Sequence, residues 1–372
     1  MSRLLFTRKQ CLILALALAF IIKPSLSLQI GQLLSTCVHA CEQGCLAIRT
    51  VQAARESSSS TGSNNNDFKV EFKDENDPRS ALTEADSAAH IAIIGSLRKT
   101  WSGSASLRII GEEDDSDHED AITQFINNEK NQPLPKDLLD DDLGETNDID
   151  TSEITIFVDP LDGTREFVEG RLSNCQVLVG IAIGGEAVAG AVGIPFPSND
   201  LSTESTIVYG IADFGTGIKG SPLVRGPFPL DIHIDGLRYP RPHHATGDSN
   251  ASIMNACRKA AIKRFGGSNV IYGGAGNKIL AAALGEVACS IQHKIGGPWD
   301  LCAPEAILKA MGGKMTDLFG EDIAIYRDDA PARCNERGYI ASQPGAEDLF
   351  HEALVAAFSG LPEVQEYKGS LQ

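Results

Sequence analysis

Three separated stretches of this chain share one arrangement: an apolar or β-branched run stops and carboxylates follow within a few residues. They are Ile110-Gly111-Glu112-Glu113, then Val158-Asp159-Pro160-Leu161-Asp162-Gly163-Thr164, then Gly296-Gly297-Pro298-Trp299-Asp300. Acidic groups at strand ends can converge in space. Oxygen ligands of this kind, with no paired His or Cys beside them, suit a hard cation such as Mg2+ and not Zn2+.

The middle stretch is the most informative. Pro160 sets a turn between two aspartates, so Asp159 and Asp162 can face one point. Gly163-Thr164 then opens a helix through Arg165-Glu166-Phe167, and the free N–H groups of its first turn make a phosphate seat. Cation ligands beside an anion seat are the parts of metal-assisted phosphate chemistry. An Asp-rich turn with a helix cap explains this stretch alone, but not three such stretches in one chain.

The elements that must position these residues follow from periodicity. Apolar residues at helical spacing predict a helix over Gln29 to Arg55, then a polar loop over Glu56 to Asp67, then a second helix over Leu82 to Trp101. Leu107 to Ile110 and Glu153 to Val158 read as strands that feed the first two acidic stretches. Cys175 to Ile183 and Ala187 to Ile194 read as a hairpin closed by Gly184-Gly185-Glu186. Ile207 to Ile211 continues the sheet, and Phe214 to Gly217 turns out of it. The Pro/Gly-rich stretch Gly220 to Pro242 is the expected boundary between two parts, 28–225 and 226–372. Helices over Ala251 to Phe265, Lys278 to Leu284 and Asp300 to Met311 then alternate with strands over Asn269 to Tyr272 and Val287 to Gln292. This is a layered α/β rhythm. His243-His244 reads as part of a polar loop, Trp299 as a packing residue that positions Asp300, and Glu305 as a helix first-turn acid.

Composition narrows the partners. The chain has 372 residues, 42% of them hydrophobic, so it can build a full core. It carries 32 Lys+Arg against 50 Asp+Glu, a net charge of −18. That balance excludes a general binder of nucleic acid polymers or anionic lipid, because both need a positive surface. Glu112 to Glu153 holds 16 acidic and two basic residues, and its middle reads as a solvated excursion.

Arg3, Arg8 and Lys9 precede the apolar run of 12 residues from Cys11 to Ile22, and Ser25-Leu26-Ser27 offers small residues for cleavage. Residues 1–27 therefore read as a signal peptide or an uncleaved signal anchor, and an anchor is the only membrane contact expected. The location expected is the secretory lumen, or a plastid if the source is algal. Cys37, Cys41 and Cys45 fall on one helix face and read as small core residues, since no close pair of soft-metal ligands accompanies them.

The stretches VDPLDGTREFVEG, GEED and WDLCAPEAILKAMGGKMTD, with Thr83-Glu84-Ala85-Asp86, resemble the lithium-sensitive, Mg2+-dependent phosphatases of the inositol monophosphatase superfamily. The block Gly273 to Lys278 and the form of the second motif are similar to its 3′(2′),5′-bisphosphate nucleotidases. The resemblance covers roughly residues 30–360. It implies an αβαβα layered sandwich of the α/β class, with the site in the cleft between two sub-domains. It implies that Glu112, Asp159, the Leu161 carbonyl, Asp162 and Asp300 bind two or three Mg2+ ions. It implies that Asp86 and Thr164 activate a water for in-line attack, and that the Gly163 and Thr164 amides hold the scissile phosphate. Gly274 and Lys278 are then expected to contact the nucleotide.

The activity implied is release of the 3′-phosphate of adenosine 3′,5′-bisphosphate, and of 3′-phosphoadenylyl sulfate, which would place the enzyme in sulfur metabolism. Lithium would inhibit by occupying a metal site. An inositol phosphate phosphatase would share every metal ligand, and a silent nucleotide or metal sensor is an alternative of another class. The superfamily's members are monomers or homodimers. Ala245 and Asp248 stand where the animal nucleotidases carry a Thr and a His that contact the nucleotide. Either His243 or His244 substitutes for them, or the substrate differs.

Overall fold

The computed structural model describes residues 27–28, 30–60, 70–72, 81–101, 107–113, 115–128, 149–222, 232–234, 237–239, 243–246, 251–293, 296–323, 325–326, 335–345 and 347–371. The leader over 1–26, the middle of the acidic excursion, and Asp248 lie outside them.

The chain opens with α1 (Ile30–Ser60) and α2 (Glu84–Trp101). Helix α1 runs through Ser60, five residues beyond the end that periodicity predicts. One side of α1 carries Leu33, Leu34, Cys37, Val38, Cys41, Cys45 and Ile48, all buried. The three cysteines are core residues, and the Cys41 thiol points at the Ala191 carbonyl, 3.4 Å away.

Six strands form the first sheet: β1 (Arg108–Gly111), β2 (Ile154–Asp162), β3 (Gln176–Ile183), β4 (Glu186–Ile194), β5 (Thr206–Ile211) and β6 (Gly215–Gly220). Their spatial order is β6-β5-β4-β3-β2-β1. Only β1 and β2 run parallel. The turn expected at Phe214 to Gly217 is tighter than that: Gly215 already pairs with Ile211, so the chain folds straight back as an edge strand. All nine residues of β2 are buried, as a strand covered on both faces requires.

Five strands form the second sheet: β7 (His243–Thr246), β8 (Ser268–Ile271), β9 (Cys289–Gln292), β10 (Lys314–Thr316) and β11 (Tyr339–Ser342), in the order β8-β7-β9-β11-β10. Residues 243–244, expected in a polar loop, belong to its centre. His244 is fully buried, with Nδ1 3.3 Å from Cys289 Sγ and Nε2 3.1 Å from the Gly266 carbonyl.

Helices complete the layers. A short α3 (Glu119–Asn128) packs on α2, and α4 (Thr164–Val168) follows β2. The later helices are α5 (Ser252–Phe265), α6 (Ala275–Ala283), α7 (Cys302–Ala310), α8 (Glu347–Ser359) and α9 (Pro362–Ser370). Helices α1 and α2 cover one face of the first sheet, while α6 and α7 lie between the two sheets. Leu178, Val192, Ile194 and Val208 of the first sheet share one apolar cluster with Leu280, Leu284, Ala303 and Ile307 of those two helices. Each Leu, Ile or Val among them contributes about 1.5–3 kcal/mol on full burial. Helices α5, α8 and α9 close the outer face through Met254, Phe265, Phe350, Leu354 and Phe358. The result is the αβαβα layering. Among the described residues no helix is long and apolar enough to cross a membrane.

Candidate active site

Parallel pairing of β1 with β2 brings the first two acidic stretches together. Gly111 is in register with Val158, and the Glu112 N–H donates to the Val158 carbonyl at 3.0 Å. Glu112 thereby comes to lie beside Asp159, and both line one cavity.

Asp159 and Asp162 are three residues apart, which in a regular strand would aim them at opposite faces. A bulge prevents this. Asp159 is opposite Leu178 and Asp162 opposite Gln176, so three steps on β2 match two on β3. The extra residue returns Asp162 to the face of Asp159. The Asp159 carboxylate also caps the bulge, accepting the Leu161 N–H at 3.0 Å.

Asp300 arrives from the other half of the chain, on a single turn over Pro298–Asp300. One carboxylate oxygen from each of Asp159, Asp162 and Asp300 lies within 4.8 Å of the others. The Oδ2 atom of Asp300 is buried with no hydrogen-bond partner among the described residues. Burial pushes the Asp159 carboxyl well up, and the charges of Glu112, Asp162 and Asp300 push it further. Burial raises Asp300 in the same way, with Glu112 and Asp162 adding to it. Three crowded carboxylates, two buried and one half-buried with an orphaned oxygen, fit a divalent cation, which would neutralise the repulsion. Trp299 packs against the core cluster that includes Leu301 and Cys302, as expected of a packing residue.

Asp162 is bound differently. It accepts the Ala275 N–H at 2.8 Å and the Asn277 N–H at 3.3 Å, so the first turn of α6 is clamped to the first sheet. Gly274 makes this possible: its φ is +74°, and a Cβ there would come 2.6 Å from Asp162 Oδ2. Burial raises the Asp162 carboxyl, while Lys278 and the two N–H bonds oppose the rise. Lys278 is itself buried, with Nζ donating to the Gly274 carbonyl at 2.6 Å. Burial lowers its pKa, and Asp162, Asp300 and Glu166 pull it back up.

Asp86 and Thr164 meet beside the acidic cluster. The Thr164 hydroxyl donates to Asp86 Oδ1 at 2.8 Å and lies 3.1 Å from the Leu161 carbonyl. Asp86 Oδ2 accepts both the Thr83 N–H at 2.8 Å and the Thr83 hydroxyl at 2.5 Å. Burial pushes the Asp86 carboxyl up to about 7, against the pull of those hydrogen bonds. Gly163 turns the chain from β2 into α4 with φ +93°, and a Cβ there would sit 3.0 Å from the Asn174 carbonyl.

Glu112, Asp159, Leu161, Asp162, Gly163, Thr164, Gly274, Lys278 and Asp300 all line one cavity of about 570 Å3, and Asp86 stands behind Thr164. Ala245 is buried in β7 and does not line it, nor does His244. Sequence reading missed several residues of the wall: Arg171 and Asn174 past the second motif, Met254, Ile271 and Tyr272 on one side, and His293 past the end of β9. The rule that residues at strand ends face the site would have found Tyr272 and His293. Glu305 does lie in the first turn of α7, but it is buried away from the cavity, paired with Lys309 at 2.7 Å and bonded by the Tyr326 hydroxyl.

A family model described as the inositol monophosphatase family matches residues 41–362. The human protein named 3′(2′),5′-bisphosphate nucleotidase 1 is 31% identical over 275 residues, 70% of this chain and 78% of its own length. The rat Golgi-resident adenosine 3′,5′-bisphosphate 3′-phosphatase is 28% identical over 238 residues, 59% of this chain and 60% of its own. Among solved structures, the extragenic suppressor protein suhB from Bartonella henselae matches with a TM-score of 0.57 at 17% identity, over 87% of this chain and 97% of that one. At that identity the likeness establishes the fold alone.

Proposed function

The chain belongs to the inositol monophosphatase family, and from that premise we propose that it is a Mg2+-dependent 3′-phosphatase of adenosine 3′,5′-bisphosphate, yielding AMP and phosphate. The observation that carries this reading is the Asp86–Thr164 hydrogen bond, set against the Asp159, Asp162 and Asp300 cluster in one cavity. The names of the human and rat relatives supply the substrate class. The proposal extends to 3′-phosphoadenylyl sulfate, which carries the same 3′-phosphate.

Glu112, Asp159, the Leu161 carbonyl, Asp162 and Asp300 hold the cations. Bound there, Mg2+ supplies charge neutralisation at the phosphate and lowers the pKa of a water. Gly163 and Thr164 offer backbone N–H groups to the scissile phosphate. The Thr164 oxygen accepts a hydrogen bond from the attacking water and passes a proton to Asp86. A carboxyl whose pKa is pushed up to about 7 is a better base than an ordinary aspartate and still ionises near neutral pH. Residues 28–225 supply most of the metal site and 226–372 the substrate wall, with Asp300 crossing between them. The signal-peptide pattern of residues 1–27 and the Golgi-resident relative support a place in the secretory lumen, where sulfotransferases would generate the substrate.

The test is phosphate release with Mg2+ from adenosine 3′,5′-bisphosphate and inositol 1-phosphate in parallel, each with and without Li+. Fast, lithium-blocked release from the nucleotide is the expected result. Release mainly from the inositol phosphate would transfer the assignment to that substrate. Cation binding without release from either would leave a sensor.

A further inference from the structure

The cavity wall includes three long cations, Lys278, Arg165 and Arg171, and they are not equivalent. Lys278 is buried and committed: its Nζ donates to the Gly274 carbonyl, and its charge faces Asp162 and Asp300. It serves the acidic cluster from within. Arg165 is held only by Glu169, one helical turn along the same exposed face. Arg171 differs from both. Its Nε donates to Glu166 Oε2 at 2.5 Å and a terminal nitrogen donates to Glu166 Oε1 at 2.8 Å, a two-point clamp. Its other terminal nitrogen is bonded to Glu169.

Glu166 is a firm anchor. Its side chain is only 10% exposed, and Asn174 Nδ2 donates to it at 3.1 Å. Asn174 in turn accepts from Asn277, which ties the anchor to the first turn of α6. The Arg171 side chain is 47% exposed. A guanidinium has five N–H donors, and among the described residues three are used, so two remain for a ligand. They are fixed in a planar fork before any ligand arrives, which reduces the entropy lost on binding an anion.

We propose that Arg171 is the specificity residue that reads the second, uncleaved anionic group of the substrate. The inference rests on the nucleotide reading above. A bisphosphate brings negative charge into a cavity already lined by Glu112, Asp159, Asp162, Glu166 and Asp300. Cations at the acidic cluster compensate the phosphate that is cleaved. The other phosphate needs a cation outside that cluster, at the open side of the cavity, and the anchored fork of Arg171 meets that need. Lys278, which the resemblance implies contacts the nucleotide, is thereby left to the acidic cluster, and the uncleaved phosphate falls to Arg171.

The experiment measures kcat and KM with Mg2+ for adenosine 3′,5′-bisphosphate and for adenosine 3′-phosphate, which lacks the second phosphate. It compares the wild type with Arg171→Gln and Arg171→Lys. The Gln variant keeps a hydrogen bond to Glu166 and the Lys variant keeps the charge. Thermal unfolding of each reports whether it folds. The expected result is that Arg171→Gln lowers the preference for the bisphosphate by about tenfold, through KM, and that Lys restores part of it. A loss that falls equally on both substrates means that Arg171 only supports Glu166, and it overturns the proposal. So does an unchanged preference. A wild type that releases phosphate from neither substrate overturns the nucleotide reading, and this inference falls with it.

Discussion

The Thr164 hydroxyl donates a hydrogen bond to Asp86 across 78 residues of chain, at 2.8 Å. It joins the start of α2 to the turn after β2, and among the described residues the buried Asp86 carboxylate has no cationic partner. Two consequences follow for Asp86→Asn. Phosphate release is expected to fall by about 10²–10⁴-fold, the range for loss of a positioned base. The cation-free protein is expected to become more stable.

The sign of that second effect comes from the pKa. Asp86 titrates near 3.8 ordinarily and near 7 when folded, so between those values the native state holds the extra proton. Stability therefore falls as pH rises from 4 to 7, by about 4 kcal/mol in all, and stays low above 7. An asparagine removes this loss. Urea unfolding in EDTA at pH 4.5 and pH 8 should show Asp86→Asn ahead of wild type at the higher pH only. Equal midpoints at pH 8 would sink the account of Asp86 as a strained, buried base.

A second prediction concerns the acidic cluster. Burial and mutual repulsion raise Asp159, Asp162 and Asp300 above ordinary aspartates. Their protons must leave before a cation can bind, so affinity should drop as pH falls. At a hundredfold excess over Kd, Mg2+ should add about 2–3 kcal/mol of stability. At a fixed Mg2+ concentration the gain should be clear at pH 8 and much smaller at pH 5.5. Asp159→Asn should abolish it at both. Differential scanning fluorimetry with and without Mg2+ reads this directly, and a pH-independent gain would show that cations bind elsewhere.

Gly274→Ala offers a third test. The φ of +74° strains any side chain, and the new Cβ would press on Asp162 Oδ2. A loss of about 1–3 kcal/mol of stability is expected, together with weaker Mg2+ binding. Gly184→Ala is the control, since it too has positive φ but nothing within 4 Å. It should lose stability and keep its cation affinity by calorimetric titration. If both variants bind Mg2+ like wild type, the clamp between α6 and Asp162 does not shape the metal site.

Chain-local information was enough for a large part of this molecule. The acidic residues at the ends of β1 and β2 declare themselves because a buried strand is otherwise apolar and β-branched, so carboxylates at its end stand out. The helices around Leu33, Ile93 and Ile307 follow from the spacing of side chains on one face. Three things needed the tertiary structure. The bulge at Pro160–Leu161 is defined by a partner strand, and without it Asp159 and Asp162 would face apart. His243-His244 looks polar in isolation, but His244 pairs with both β8 and β9, is buried between them, and finds Cys289 and Gly266 there. Lys278 and Arg171 are both cations near motifs, each bonded to a residue four or five positions back, Gly274 and Glu166; what the tertiary structure adds is the Asn174–Asn277 contact that ties the Glu166 anchor to α6 and places both cations on one cavity. Local sequence sets what a residue can do. For Asp86, Asp162 and His244 the partner comes from a segment distant in sequence, and that pairing decides what each residue does.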